Sequence, residues 1–67
     1  MDNKKRQFLI DLREANGWSQ GYVARQIGIS QQAVSFHEKG GQIKPDTALK
    51  YIDFYNNKIT LNDFYRQ

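Results

Sequence analysis

The stretch from Ser19 to Gly41 constrains this chain most, because it is punctuated for two short helices with a tight turn between them. Ser19 and Ser30 are residues that favour a helix N-cap, where a side-chain oxygen accepts a backbone N–H left without a partner in the first turn. Gly28 stands just ahead of the second serine and suits the left-handed backbone that ends a helix. Gly40 and Gly41 stop the second segment. This spacing predicts one helix from Gln20 to Ile27 and another from Gln31 to about Lys39. Val23, Ala24 and Ile27 share one face of the first. Ala24 is small where the two helices must touch, Ile29 plugs the turn into the core, and Val34 faces inward from the second helix.

The same punctuation divides the rest of the chain. A segment from about Asn3 to Asn16 places Phe8, Leu9, Leu12 and Ala15 at helical spacing, and Gly17 follows as a C-cap. After Pro45, Asp46 is a candidate cap for a fourth helix, Thr47 to about Tyr55, with Ala48, Tyr51, Ile52 and Tyr55 in register. Asn56, Asn57 and Lys58 read as a turn. Thr60 then caps a fifth helix, Leu61 to Tyr65, with Asp63 where a capping box takes an acid. No segment alternates with period 2. The expectation is an all-α fold of five short helices in one domain, residues 1–67.

A chain of 67 residues buries only about 60% of its unfolded surface. It has no cysteine, so neither a disulfide nor a thiolate metal site can support it. A second subunit would add buried area. The aromatic tail of Tyr51, Phe54, Tyr55, Phe64 and Tyr65 exceeds what a small core easily hides, which predicts a share for the core and a share for a dimer contact. Trp18 is expected in the core.

The formal net charge is +3 and the isoelectric point about 9.4. This permits a polyanionic partner without requiring one. The N-terminus is charged, and the apolar run Phe8–Ile10 is too short for a signal peptide. Nothing approaches the ~20 apolar residues of a membrane span, so no membrane role and a cytoplasmic location are expected. One histidine, no cysteine and scattered acids give no nucleophile–base pair, phosphate-cradling loop or metal-ligand spacing. Neither an enzyme nor a cofactor, metal or small-molecule ligand is expected.

Two short helices on a glycine turn form a helix-turn-helix, here from Gln20 to Lys39. The second helix would be about 12 Å long, matched to a major groove about 12 Å wide. Its outer face carries Gln31, Gln32, Ser35 and Phe36. Glutamine suits adenine, since one amide accepts from N6 and donates to N7 together. Two glutamines at the helix N-terminus sit where such helices meet base edges. Gln20, at the N-terminus of the preceding helix, would lie near phosphate.

Leu12-Arg13, Gly17-Trp18-Ser19-Gln20, Val23-Ala24, Ile27 to Gln32, Val34-Ser35, Glu38-Lys39-Gly40 and Pro45 together resemble the Cro/repressor (XRE-type) helix-turn-helix family. The Ser30-Gln31-Gln32 start is similar to the recognition helix of one class of lambdoid phage repressors. The resemblance implies base contacts from Gln31, Gln32, Ser35 and Phe36. It implies phosphate contacts from Gln20, Ser30, Lys39, Gln42 and Lys44, with Gln20 also bracing the recognition helix. Phe36 stands where those repressors have a third base-reading glutamine and can only pack, for instance on a thymine methyl. Arg13 and Glu38 match a pair that the family joins by an ion pair between the first and third helices. His37 replaces a usually apolar residue and is expected as a partly buried packing residue. From their charge alone, Lys4, Lys5 and Arg6 read as a basic arm, either phosphate-binding or merely solubilising.

The function so implied is a Cro-like repressor, bound as a homodimer to a near-palindromic operator in double-stranded DNA. With neither ligand nor cleavage domain, a small regulator of a phage or mobile element is expected. The alternative is a protein-interaction module on the same fold, an antitoxin or a modulator of another regulator. Its docking face would be the aromatic C-terminal third, with Phe36 as an anchor.

Overall fold

The computed structural model describes residues 5–65, which form five helices and no strand. In chain order they are α1 (Gln7–Ala15), α2 (Gln20–Ile27), α3 (Gln31–Glu38), α4 (Pro45–Phe54) and α5 (Leu61–Tyr65).

Local hydrogen bonds set most of the boundaries. Ser19 Oγ accepts the Tyr22 N–H at 3.0 Å and Ser30 Oγ accepts the Ala33 N–H at 3.0 Å. Between them Gly28 takes φ +81°, and the N–H groups of Gly28 and Ile29 both donate to the Ala24 carbonyl. No atom would crowd a Cβ at Gly28, so its left-handed backbone is what calls for glycine. α1 and α3 end alike. Gly17 N–H donates to Glu14 O and Trp18 N–H to Arg13 O; Gly40 N–H donates to His37 O and Gly41 N–H to Phe36 O. These are Schellman closures, with Gly17 and Gly40 at positive φ.

Two helix starts differ from the sequence reading. α1 begins at Gln7, because the Arg6 N–H is drawn away to Glu38 O at 2.8 Å; Asn3 and Lys4 lie outside the described residues. α4 begins at Pro45, and Asp46 lies inside its first turn rather than at the cap. Lys44 holds the cap position with ψ 150°, the extended backbone imposed on a residue before proline, and proline at N1 forfeits no hydrogen bond. At α5 the bounds are the expected ones, Leu61–Tyr65, and Thr60 and Asp63 bond to each other across the first turn. The Asp63 carboxylate accepts the Thr60 N–H at 2.8 Å, while the Asp63 N–H goes to the Thr60 carbonyl.

The core joins Leu9 of α1, Val23 and Ile27 of α2, Ala48, Tyr51, Ile52 and Tyr55 around α4, and Ile43, Ile59 and Phe64. Ala24 and Val34 are buried, consistent with their places in the α2–α3 contact. Ala15 is exposed, so the apolar face of α1 stops at Leu12. Trp18 is half-buried, with its ring 4.9 Å from Phe54, 5.4 Å from Tyr22 and 6.1 Å from Tyr55. Most of the aromatic tail is thus consumed within one chain: Tyr51, Tyr55 and Phe64 are buried and Phe54 is half-buried. Tyr65 stays exposed while its hydroxyl donates to Ile43 O at 3.0 Å.

Candidate nucleic-acid interface

α3 projects the side chains singled out above. Gln31 and Gln32 are exposed, Ser35 is partly buried, and Phe36 is 54% exposed. Gln20, Gln31, Gln32 and Ser35 line one shallow polar depression of about 360 Å³ across the N-terminal ends of α2 and α3. Phe36, Gln42 and Lys44 line a second, more apolar groove of about 650 Å³, together with Arg6, Gly40, Ile43, Pro45, Phe64 and Tyr65. Lys39 is exposed at the C-cap of α3, outside both. Ser30 Oγ accepts the cap bond, and a hydroxyl so placed can still donate one bond.

Behind the depression lies a buried charge network. Glu38 is only 3% exposed. Its carboxylate accepts from Arg13 Nε at 2.7 Å, Arg13 Nη2 at 3.1 Å and Gln20 Nε2 at 2.9 Å. Arg13 Nη1 also donates to Trp18 O at 3.0 Å. Hydrogen bonding to Glu38 raises the Arg13 pKa above its ordinary value, outweighing the desolvation that opposes it. One carboxylate therefore ties α1, α2 and α3 together. Desolvation offsets much of the attraction in such a pair, so its main effect is to fix helix orientation. The Gln20 amide N–H faces this inner carboxylate, while the residue still lines the depression.

Two further clusters join residues far apart in the chain, and local sequence patterns carry no signal for either. Arg6 is folded into the domain. Its Nη1 donates to Gly41 O at 2.6 Å and His37 O at 2.8 Å, and Nη2 to Phe64 O at 3.4 Å. Its guanidinium also stands 5.8 Å from the Phe64 ring centroid. Arg6 is therefore not part of a free basic arm, because it is half-buried and donates to three carbonyls inside the fold; Lys5 is exposed, and Lys4 lies outside the described residues. His37, 8% exposed, shares a 2.9 Å hydrogen bond between Nδ1 and the Tyr51 hydroxyl. Burial, and then the Arg6 cation, lower its pKa below the ordinary histidine value. Burial also pushes the Tyr51 hydroxyl well above the ordinary tyrosine range, and Tyr55 up to about 12.

Among the described residues no group of three or more His, Cys, Asp or Glu is placed to hold a metal ion. None of the described helices is long and apolar enough to cross a membrane.

The profile of the helix-turn-helix family matches residues 9–62. Two curated relatives carry provisional names as HTH-type transcriptional regulatory proteins. One, from Halorubrum lacusprofundi, is 38% identical over 53 residues, covering 79% of this chain and 16% of its own length. The other, from Haloarcula marismortui, is 32% identical over 54 residues, covering 81% of this chain and 17% of its own length. The chain thus spans about a sixth of the relatives it matches. No solved structure matches it significantly.

Proposed function

The chain belongs to the helix-turn-helix family, and from that premise we propose that it is a sequence-specific regulator that inserts α3 into the major groove of double-stranded DNA. The observation that carries this reading is the pairing of two exposed glutamines with a rigid mount. Gln31 and Gln32 are exposed at the N-terminus of α3, while Glu38, buried at its other end, is clamped by Arg13 and Gln20. Base readout needs amide groups held at a fixed place relative to the backbone, and this mount supplies that.

In this reading Gln31, Gln32, Ser35 and Phe36 meet base edges, and Gln20, Ser30, Lys39, Gln42 and Lys44 meet phosphate. Two copies bind as a homodimer to half-sites one DNA turn, about 34 Å, apart, which makes the operator near-palindromic. Occupying a promoter in this way represses by excluding polymerase, as a Cro-like protein does.

Selection of bound sequences from random duplexes tests the reading. Wild type should enrich one near-palindrome. Gln32→Ala should lose its preference at one base pair of each half-site, by about 1–3 kcal/mol. An unchanged preference in that variant would remove α3 from the recognition role. Lys44→Ala should weaken all sequences alike and reduce the salt slope by about 1.

One observation favours a second reading. Phe36 and Tyr65 are large exposed rings on one groove, an arrangement that suits a protein partner. Under that reading Phe36→Ala leaves the selected DNA sequence unchanged.

A further inference from the structure

Two glycines beside the reading face have no backbone reason to be glycine. The glycines at positive φ are Gly17, Gly28 and Gly40; Gly21 and Gly41 are not among them. Gly21 lies within the first turn of α2, and inside a helix glycine is less favourable than alanine. What these two positions share is a reading side chain that an added Cβ would meet, in close contact at Gly21 and in direct overlap at Gly41. At Gly21 an added Cβ would lie 3.2 Å from Gln31 Oε1 and 3.8 Å from its Cδ, with Arg25 Nη1 at 3.7 Å. At Gly41 an added Cβ would fall directly on the Phe36 ring. The Gly41 backbone is also pinned: its N–H donates to Phe36 O at 2.9 Å and its carbonyl accepts from Arg6 Nη1 at 2.6 Å. A methyl group there must displace the ring, because the backbone is tied on both sides.

We propose that Gly21 and Gly41 are specificity-determining positioning residues. Each offers bare backbone on which one reading side chain rests: the Gln31 carboxamide on α2, and the Phe36 ring on the loop after α3. The inference rests on the reading that α3 contacts DNA bases. A glutamine side chain has three rotatable bonds, and a bidentate contact with adenine uses only one orientation of the amide. Resting the amide on flat backbone removes competing rotamers before DNA arrives, so less ordering is left for binding. At the other end of α3, the Phe36 ring has Gly41 beneath it and still presents half of its surface outward.

The test is selection from random duplexes by wild type, Gly21→Ala, Gly21→Leu and Gly41→Ala, with thermal melts of each. Gln31→Ala and Phe36→Ala mark the base pairs that those side chains read. Gly21→Ala should melt at or above wild type, since alanine suits the helix better. Its preference at the Gln31 pair should nevertheless fall about fivefold, the lower end of what one bidentate contact supplies. Gly21→Leu should lose more, and the pair read by Gln32 should be untouched in both. In a Gln31→Ala background, Gly21→Ala should change nothing further. Gly41→Ala should relax the Phe36 pair, and adding it to Phe36→Ala should alter neither melt nor sequence. If Gly41→Ala alone fails to fold, that double variant decides: a folded double shows that the glycine is needed only for the ring. A folded Gly21→Ala or Gly41→Ala that keeps the full wild-type preference at its pair overturns the inference, although the DNA reading survives. Wild type selecting no sequence overturns both.

Discussion

Replacing Arg13 by methionine tests whether the buried network behind α3 behaves as its geometry dictates. Methionine keeps the apolar stem and removes the cation. Glu38, 3% exposed, then keeps only the Gln20 amide of its three donors. The two side chains of the pair are 13% and 5% exposed, so water replaces little of what is lost. Breaking a buried ion pair on one side costs about 3–5 kcal/mol. At about 0.05–0.15 kcal/mol per residue, a domain of this size holds roughly 3–10 kcal/mol in all. Arg13→Met should therefore remove about a third or more of that stability, read as a lower midpoint in urea titration with far-ultraviolet circular dichroism. The second arm removes the charge from both partners. In Arg13→Met with Glu38→Gln no buried charge is left unpaired, and the new amide oxygen can still accept from Gln20. That double variant should be more stable than Arg13→Met alone by about 2 kcal/mol or more. Two results refute the reasoning: a cost below about 1 kcal/mol for Arg13→Met, or a double variant that merely adds the two single costs.

Three further outcomes follow from individual contacts. The lowered pKa of His37 means that the unfolded chain takes up a proton near the ordinary value of 6.5 while the native state does not; stability should fall as pH drops below that point, by up to about 1.4 kcal/mol per unit from this group until the native histidine also titrates. His37→Gln should remove that component in urea titrations run at a series of pH values, and an identical pH dependence in both proteins excludes His37 as its source. Ser30→Ala deletes the acceptor for the Ala33 N–H and should cost about 1 kcal/mol, seen as a melting temperature lower by about 4–8 °C. Arg6→Ala removes the donors to three carbonyls and should cost about 2 kcal/mol; an unchanged melt combined with weaker DNA binding would instead restore the basic-arm role.

The parts of this fold that were legible in the sequence are those fixed by neighbours in the chain. The capping serines, Gly28 and the apolar spacing of α2 act within four or so residues, so α2 emerges with both ends as expected and α3 with only Lys39 moved to the cap. The start of α4 was misplaced at Asp46, because an acid after proline suits a cap as well as a first turn. The extended backbone before proline puts Pro45 at N1 instead. What stayed hidden depends on residues far apart in sequence. Arg6 reaches carbonyls at positions 37, 41 and 64, and His37 meets Tyr51 only once α3 packs beside α4. The Arg13–Glu38 pair is equally distant, yet it was anticipated because a family resemblance carries tertiary information that periodicity lacks. Gly21 and Gly41 read as ordinary glycines until a Cβ is placed on each.

The distribution of cations also sets how strongly salt should act on DNA binding. Of the five proposed phosphate contacts only Lys39 and Lys44 carry charge; Gln20, Ser30 and Gln42 can hydrogen-bond phosphate but contribute little to counterion release. Arg25 adds a third cation, because its guanidinium lies beside Gly21, next to Gln31. Arg6 keeps its charge, but it is half-buried and donates to three carbonyls inside the fold, so it is not one of the phosphate contacts. Two or three neutralised phosphates per protomer give a slope of log K against log salt of about −2 to −3, and a dimer about −4 to −5. The slope, measured by fluorescence anisotropy on the selected operator, thus reports stoichiometry as well as charge. A value near −2 on a full palindrome would mean that one protomer binds at a time and would refute the dimer. A value much steeper than −5 would bring in cations that the grooved face does not supply, with exposed Lys5 the first to replace by alanine.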